Sequence, residues 1–163
     1  VVFHIYISSM IQGAGLSHVH NKWGLGSLRE LIANNTQFGV QGMDAIVGLK
    51  SLEVLEIGST SLNNLGMGAF RKCTGIKRLV MGRNQAVTDA GVAELSRLKQ
   101  LEYLRVPGLA LVTDEGLLNQ IKGAKKLEYL DVEGTRVTRR GAQKLKQLIP
   151  KVTIKLSNTE TIE

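Results

Sequence analysis

Residues 127–141 read LEYLDVEGTRVTRRG, and this stretch contains the pattern that decides the fold. Apolar residues stand at Leu127, Leu130 and Val132, which is the alternation expected of a short strand with one buried face. Thr135 follows where a turn is expected, because its side chain can bond to nearby backbone groups. A Val-Thr pair then precedes a glycine at the start of a helical pattern. The stretch therefore predicts a strand, a turn and a helix in close succession.

The same unit occurs five times in phase along the chain. Successive units start 24, 24, 25 and 26 residues apart. One strand and one helix of this size cannot bury a core alone, whereas stacked copies can. We therefore predict an α/β solenoid of stacked strand–helix units. The units begin at Leu28, Leu52, Ile76, Leu101 and Leu127, and their recurring glycines are Gly42, Gly66, Gly91, Gly116 and Gly141.

The two ends of the chain depart from the pattern, as terminal units of a solenoid do when they cap the core. We predict a single domain over residues 1–163, with five repeats over residues 28–151. Residues 1–27 are interpreted as a diverged N-terminal capping unit that contains an apolar strand near its start. Residues 152–163 are interpreted as a closing strand, in which Val152, Ile154 and Leu156 alternate, followed by a polar tail.

The quoted units resemble the leucine-rich repeats. The resemblance is closest to the subtype L-x-x-L-x-L-x-x-T-x-V-T-D-x-G-L of ribonuclease-inhibitor-like and F-box-associated cysteine-containing repeats, and it covers roughly residues 25–156. Residues 127–141 match this subtype except that Arg139 replaces the aspartate. The resemblance implies a horseshoe-shaped solenoid, with a parallel sheet on its concave side and helices on its convex side. It fixes the function much less, because one fold supports many functions.

The residues between the buried strand positions predict where a partner binds. They point away from the core, so equivalent positions on neighbouring strands should form rows about 4.8 Å apart. One row contains Arg78, Tyr103 and Tyr129, which are residue types enriched at binding hot spots. The interpretation as ordinary strand surface, or as a self-contained ion-pair network, stays open. The candidate partner-binding residues are Glu56, Arg78, Tyr103, Arg105, Tyr129 and Asp131.

A second candidate surface is basic. The formal net charge is +7, and residues 71–163 contain 18 of the 21 basic residues. Such a surface can attract an acidic protein, a nucleic acid or an anionic membrane, but charges also coat solvated helices and complement helix dipoles. Nucleic-acid binding would favour interleaved aromatic residues, which this region lacks. The basic patch is predicted at Lys125, Lys126, Arg136, Arg139, Arg140 and Lys144.

The sequence gives no catalytic pattern. It contains no phosphate-binding loop of the type GxxxxGK[ST], and its glycine pairs lack the spacing of a dinucleotide site. His18 and His20 form an H-x-H pair without further ligands nearby, so we expect no metal and no cofactor. Catalytic residues do not recur once per repeat, whereas helix caps such as Thr88-Asp89 and Thr113-Asp114 do. We therefore expect a protein that is not an enzyme and has no small-molecule substrate.

These observations favour a non-catalytic protein-binding scaffold that uses the concave sheet, as a structural, assembly or adaptor subunit of a larger complex. One alternative is the substrate-recognition module of a ubiquitin-ligase-type adaptor. Another is a basic module that docks on RNA or an anionic membrane. The single Cys73 and the lack of an evident signal peptide favour an intracellular or organellar compartment.

Overall fold

The computed structural model describes residues 3–6 and 25–163 of the chain. Its strands form one sheet of eight, hydrogen-bonded in chain order. The first seven strands are parallel, and the eighth is antiparallel to the seventh. The strands are β1 (Phe3–Tyr6), β2 (Leu28–Ile32), β3 (Val54–Glu56), β4 (Arg78–Val80), β5 (Tyr103–Arg105), β6 (Tyr129–Asp131), β7 (Thr153–Lys155) and β8 (Thr161–Ile162).

Helices connect successive parallel strands from β2 onward. The first and the last two are α-helices of eight to ten residues, and the middle two are single α-helical turns that continue as 3₁₀ segments. This is the predicted alternation of one strand and one helix per repeat. The α-helices are α1 (Gly39–Ile46), α2 (Asn64–Met67), α3 (Asp89–Val92), α4 (Asp114–Ile121) and α5 (Arg139–Leu148), and the 3₁₀ segments are Leu25–Ser27, Gly68–Arg71 and Ala93–Arg97.

The buried apolar residues form one continuous core between the sheet and the helices. The strand register puts equivalent residues of successive repeats beside one another, so the central leucines form a single row. No repeat encloses these side chains by itself, which is why the stacked copies fold as one unit. Members of this central row are Leu55, Leu79, Leu104 and Leu130, all without solvent exposure.

Hydrogen bonds between repeats run along the helix starts. Thr88 and Thr113 are the N-caps of α3 and α4, as the sequence predicts, and Thr138 is the N-cap of α5. The neighbouring aspartates do more than favour a helix start, because each binds the cap of the next repeat. The Asp89 carboxylate accepts hydrogen bonds from the Thr113 backbone N–H at 2.8 Å and the Thr113 hydroxyl at 2.7 Å.

The same contact recurs in the adjacent repeats. The Asp114 carboxylate accepts from the backbone N–H and hydroxyl of Thr138 at 2.7 and 2.6 Å. The Asn64 side chain bonds to the same two groups of Thr88 at 3.0 and 2.9 Å. We call this set the helix-start ladder: Asn64, Thr88, Asp89, Thr113, Asp114 and Thr138.

The helix-start ladder explains the recurring glycine of the repeat. A Cβ atom on Gly116 would lie 1.9 Å from Asp89 Oδ1, and one on Gly141 would lie 2.2 Å from Asp114 Oδ1. These distances are far below van der Waals contact, so each glycine makes room for the aspartate of the preceding repeat. The motif T-D-x-G is therefore a contact between two repeats as well as a helix start.

Arg139 takes the aspartate position in the last unit of the ladder. Within the described structure α5 is followed by β7 and β8 and not by another capped helix. Arg139 instead forms an ion pair with Glu160, with 2.7 Å between Nε and Oε1. The substitution that interrupts the repeat pattern thus connects the last helix to the C-terminal segment.

The C-terminal segment differs from the predicted polar tail. Residues after Leu156 turn back, and β8 pairs with β7 through Ile154–Ile162 and Lys155–Thr161. Ile162 is partly buried and packs against the core. The prediction missed this strand because its two residues carry no repeat periodicity. At the other end, β1 confirms an N-terminal strand paired with β2, while the predicted connection through residues 13–23 lies outside the described residues.

Within the described part of the chain, no helix has both the length and the apolar character needed to cross a membrane.

Candidate functional site

The strand register forms the two rows that the repeat predicts on the face of the sheet opposite the helices, here called the open sheet face. In the first row, Arg78 lies beside Tyr103, and Tyr103 lies beside Tyr129. In the second row, Glu56, Val80, Arg105 and Asp131 are aligned in that order. We call Arg78, Tyr103 and Tyr129 the aromatic row.

The aromatic row is a continuous stack. The Tyr103 and Tyr129 rings are 4.8 Å apart between centroids and are inclined by 16°. The guanidinium carbon of Arg78 lies 3.9 Å above the centre of the Tyr103 ring, within the range of a cation–π contact. All three residues are partly exposed, so the stack presents flat aromatic and guanidinium surfaces to solvent.

Glu56 holds Arg78 over the tyrosine. Its Oε1 atom lies 3.3 Å from both Nε and Nη2 of Arg78, and its Oε2 atom accepts from the Asn34 amide at 3.1 Å. The carboxylate of Glu56 is therefore engaged within the protein. It orients the arginine of the aromatic row.

Asp131 also differs from its prediction as an exposed contact residue. Its side chain has no solvent exposure, because Arg105 covers it at 3.0 Å and Lys155 lies 3.9 Å away. Its Oδ1 atom accepts the backbone N–H of Glu133 at 3.1 Å. In the described structure Asp131 therefore positions Arg105 and does not itself offer atoms to a partner. Sequence alternation places it on the open face but cannot reveal the side chains that cover it.

Three ionisable groups of this face have a shifted pKa: Arg105, Tyr129 and Lys155. Burial lowers the pKa of Arg105, but the hydrogen bond to Asp131 and its negative charge outweigh this effect and raise that pKa overall. Burial, together with the charge of Asp131, raises the pKa of the Tyr129 phenol. The hydrogen bond to Glu133 raises the pKa of Lys155. All three shifts are upward, so they favour the cationic forms of Arg105 and Lys155 and the neutral phenol of Tyr129.

The predicted basic patch is divided by the structure. Lys125 donates to the Leu148 carbonyl at 3.2 Å, Lys126 donates to Gln100 at 2.6 Å, and Arg139 pairs with Glu160. Arg140 and Lys144, by contrast, line a groove between α4 and α5 with Leu148, whose side chain is 52% exposed. Arg136 is exposed on the segment before α5. The sequence predicts one charged cluster of six residues. In the structure three of them, Lys125, Lys126 and Arg139, make hydrogen bonds or an ion pair within the protein.

Sites for metals or reactive thiols are not found in the described residues. No group of three His, Cys, Asp or Glu side chains there could hold a metal ion. The His18 and His20 pair lies outside the described residues. Cys73 is buried, and burial raises the pKa of its thiol to about 11, so it is protonated near neutral pH.

Comparison with solved structures identifies the fold. Internalin C2 of Listeria monocytogenes superposes with a TM-score of 0.60 and 19% sequence identity, over 82% of this chain and 56% of that one. An internalin (inlF) of the same organism superposes with a TM-score of 0.63 and 20% identity, over 90% of this chain and 44% of that one. The chain thus spans about half the length of these structures.

No protein-family model matches the chain. No curated protein matches it at a significant level. The structural likeness, at this level of identity, bears on the fold alone. Together with the strand order and the one-strand, one-helix repeat, it shows that the chain has the leucine-rich repeat solenoid fold.

Proposed function

We propose that the protein is a non-catalytic protein-binding scaffold whose open sheet face holds the partner, with the aromatic row at the centre of the interface. The single observation that carries this proposal is the stack of Arg78, Tyr103 and Tyr129 on the exposed side of the sheet. Tyrosine and arginine dominate binding hot spots because they combine apolar area with polar groups.

The stack supports binding because it is already ordered in the free protein. Tyr103 and Tyr129 hold one another in place, and Glu56 holds Arg78 above them. Side chains that are fixed before association lose less conformational freedom when a partner arrives. The strands beneath them are joined to their neighbours on both sides, so the backbone is fixed as well.

The leucine-rich repeat fold supports a role as an interaction scaffold in general terms. Within that class we favour a structural, assembly or adaptor subunit of a larger complex. The V-T-D-x-G units favour the ribonuclease-inhibitor-like or F-box-associated repeat subtype. The substrate-recognition module of a ubiquitin-ligase-type adaptor is the finer alternative within this proposal.

A second candidate function rests on the groove between α4 and α5. Arg140 and Lys144 stand at this groove beside the exposed Leu148, and Lys122 lines it as well. Cations around an apolar floor suit an anionic membrane or an RNA, whose binding would weaken steeply as salt increases. Asp114 and Glu115 line the same groove and oppose such ligands, which is why we place this function second.

The test is a quantitative affinity capture from an extract of the source organism with three variants. Tyr103→Ala/Tyr129→Ala removes the aromatic row. Glu102→Ala/Glu128→Ala is the matched control, because these exposed residues immediately precede the two tyrosines, directly before β5 and β6. Reversal of Arg136, Arg140 and Lys144 to glutamate removes the second candidate surface and leaves the pair of Arg139 with Glu160 intact.

We expect a partner that the wild type and the glutamate control both retain and that the tyrosine variant loses by at least about tenfold, since hot-spot truncation costs 2 kcal/mol or more. Loss only in the charge-reversal variant would place binding on the helices. Equal retention by all three variants would contradict both surfaces.

A further inference from the structure

A polar hollow of about 280 Å³ opens on the face of the sheet where the carboxyl ends of β2 to β5 meet the following turns. Gly58 and Gly82 line it at the row position where neighbouring repeats have Asn34 and Pro107, and Pro107 packs so close to Gly82 that a Cβ there would lie 2.7 Å from its Cδ and Cγ atoms. Two successive repeats thus offer no side chain at this position. The hollow lies on the open sheet face, beside the charged row residues Glu56 and Arg105.

One backbone N–H in the hollow has no counterpart of the side-chain acceptor found one repeat earlier. The Asn34 side chain accepts the backbone N–H of Gly58 at 2.7 Å through Oδ1. One repeat later, the residue equivalent to Asn34 is Gly58, so no side-chain oxygen can serve the N–H of Gly82 in the same way. A ligand oxygen in the hollow would accept the N–H of Gly82, as the Asn34 side-chain oxygen accepts the N–H of Gly58.

Residues with an unusual backbone conformation form part of the rim. The residue that follows the hollow position has a positive φ in every repeat, between 54° and 72°. The last two repeats use Gly108 and Gly134 there, which adopt this conformation readily. The three repeats at the hollow instead use polar side chains, which favour it less. These residues are Asn35, Ser59 and Arg83, and all three line the hollow.

Arg83 is the informative member of this set. An arginine in the left-handed region is strained, and such strain concentrates where a side chain has a function. Its guanidinium forms no ion pair in the described structure. Arg105, on the other side of the hollow, uses its Nε atom for Asp131. The carboxylate of Glu56 is engaged by Arg78 and Asn34, so the hollow has one excess positive charge.

We propose that this hollow binds a carboxylate, namely an aspartate or glutamate side chain of the protein segment that crosses the open sheet face. The carboxylate would lie between Arg83 and Arg105 and accept the N–H of Gly82. A side chain fits better than a chain terminus, because a segment that also covers the aromatic row must continue past the hollow. This inference rests on the proposed function and names the chemistry of its partner.

The experiment measures the binding of small carboxylate probes to the hollow, so it does not need the unknown partner. We would titrate the ¹⁵N-labelled full chain at constant ionic strength and follow the backbone amide resonances of Gly58 and Gly82. The probes are N-acetylglutamate α-amide, which has a free side-chain carboxylate, and N-acetylglutamine α-amide, which is its neutral match. N-acetylglycine represents a chain terminus, and inorganic phosphate represents a different anion.

One variant and two controls isolate the role of Arg83. Arg83→Gly removes the cation and suits the positive φ, so we expect it to fold at least as stably as the wild type. Ser59→Gly is the matched control, because it relieves the same backbone strain at the hollow without a change of charge. Arg97→Gln controls for the loss of one positive charge elsewhere on the surface.

We expect saturable shifts of Gly82 with N-acetylglutamate α-amide and at least about tenfold weaker binding by Arg83→Gly, as for loss of a charge-assisted hydrogen bond. The glutamine probe should leave these resonances unchanged, and both control variants should bind like the wild type. Equal shifts with the glutamine probe, or unchanged affinity in Arg83→Gly, would overturn the proposal. Tighter binding of N-acetylglycine or phosphate would overturn the choice of a side-chain carboxylate.

This outcome is separate from that of the proposed function. The probes report on the hollow even if the tyrosine variant retains every captured partner. Conversely, a partner lost on removal of the tyrosines would stand even if no carboxylate binds here.

Discussion

The helix-start ladder and the aromatic row both align one side chain per repeat with its equivalents, yet they leave their polar groups in opposite states. Both carboxylate oxygens of Asp89 accept hydrogen bonds from Thr113. In the aromatic row, the hydroxyl groups of Tyr103 and Tyr129 make no hydrogen bond within the described structure, and both rings are partly exposed. Stacking alone therefore does not distinguish a structural residue from a binding residue.

What distinguishes them is whether neighbouring repeats satisfy their polar atoms. In the helix-start ladder each repeat supplies the donors that the previous aspartate needs, so little polar capacity is left for a ligand. In the aromatic row the two tyrosine rings stack on one another, and their hydroxyl groups remain available. We expect substitutions in the helix-start ladder to lower stability and substitutions in the aromatic row to lower binding.

The largest effect is expected for Gly116→Ala. The added Cβ would overlap Asp89, whose Oδ1, Cγ and Cβ atoms would all lie within 2.4 Å of it. The aspartate must move away from Thr113 and lose both hydrogen bonds. We expect the free energy of unfolding to fall by about 3 kcal/mol, measured by chemical denaturation.

Gly68→Ala is the control for this experiment. Gly68 has helical backbone angles, and nothing lies within 4 Å of the position its Cβ would take. This variant should be as stable as the wild type or slightly more stable. An equal loss in both variants would show that the aspartate contact is not the cause.

A smaller loss is expected for Asp89→Ala. The substitution leaves the backbone N–H and the hydroxyl of Thr113 without their acceptor, but it introduces no steric clash. We expect unfolding to become easier by about 2 kcal/mol, as for two hydrogen bonds to a charged group that is partly exposed. Asp44→Ala provides the comparison, because Asp44 is exposed on α1. If the two alanine variants were equally stable, the helix-start ladder would contribute nothing to the fold.

The smallest effect on stability is expected in the aromatic row. Tyr103→Ala/Tyr129→Ala removes one stacked pair and partly exposed area, which we expect to lower the free energy of unfolding by about 1 kcal/mol. The protein should therefore remain folded in the capture experiment, as circular dichroism and thermal denaturation would show. A loss as large as that of Gly116→Ala would identify the aromatic row as structural and remove the contrast.

Much of the architecture follows from the sequence alone. Units of 24 to 26 residues can stack only in phase, because a shift of one residue would turn the buried leucines to solvent. The pattern therefore predicts the parallel sheet, the threonine caps and the alignment of Arg78, Tyr103 and Tyr129, and the structure has all three. A local period determines each of these features, and a local period is readable from the chain.

The tertiary structure alone decides which groups are engaged and which are free. Asp89 reaches the cap of the next repeat, 24 residues ahead, and Asp131 is covered by Arg105 and Lys155. β8, the pairing of Arg139 with Glu160 and the hollow at Gly82 also depend on residues that no repeat pattern relates. The alternation of a strand fixes the face on which a side chain lies. The burial of its charge depends on neighbours that only folding brings within hydrogen-bond distance.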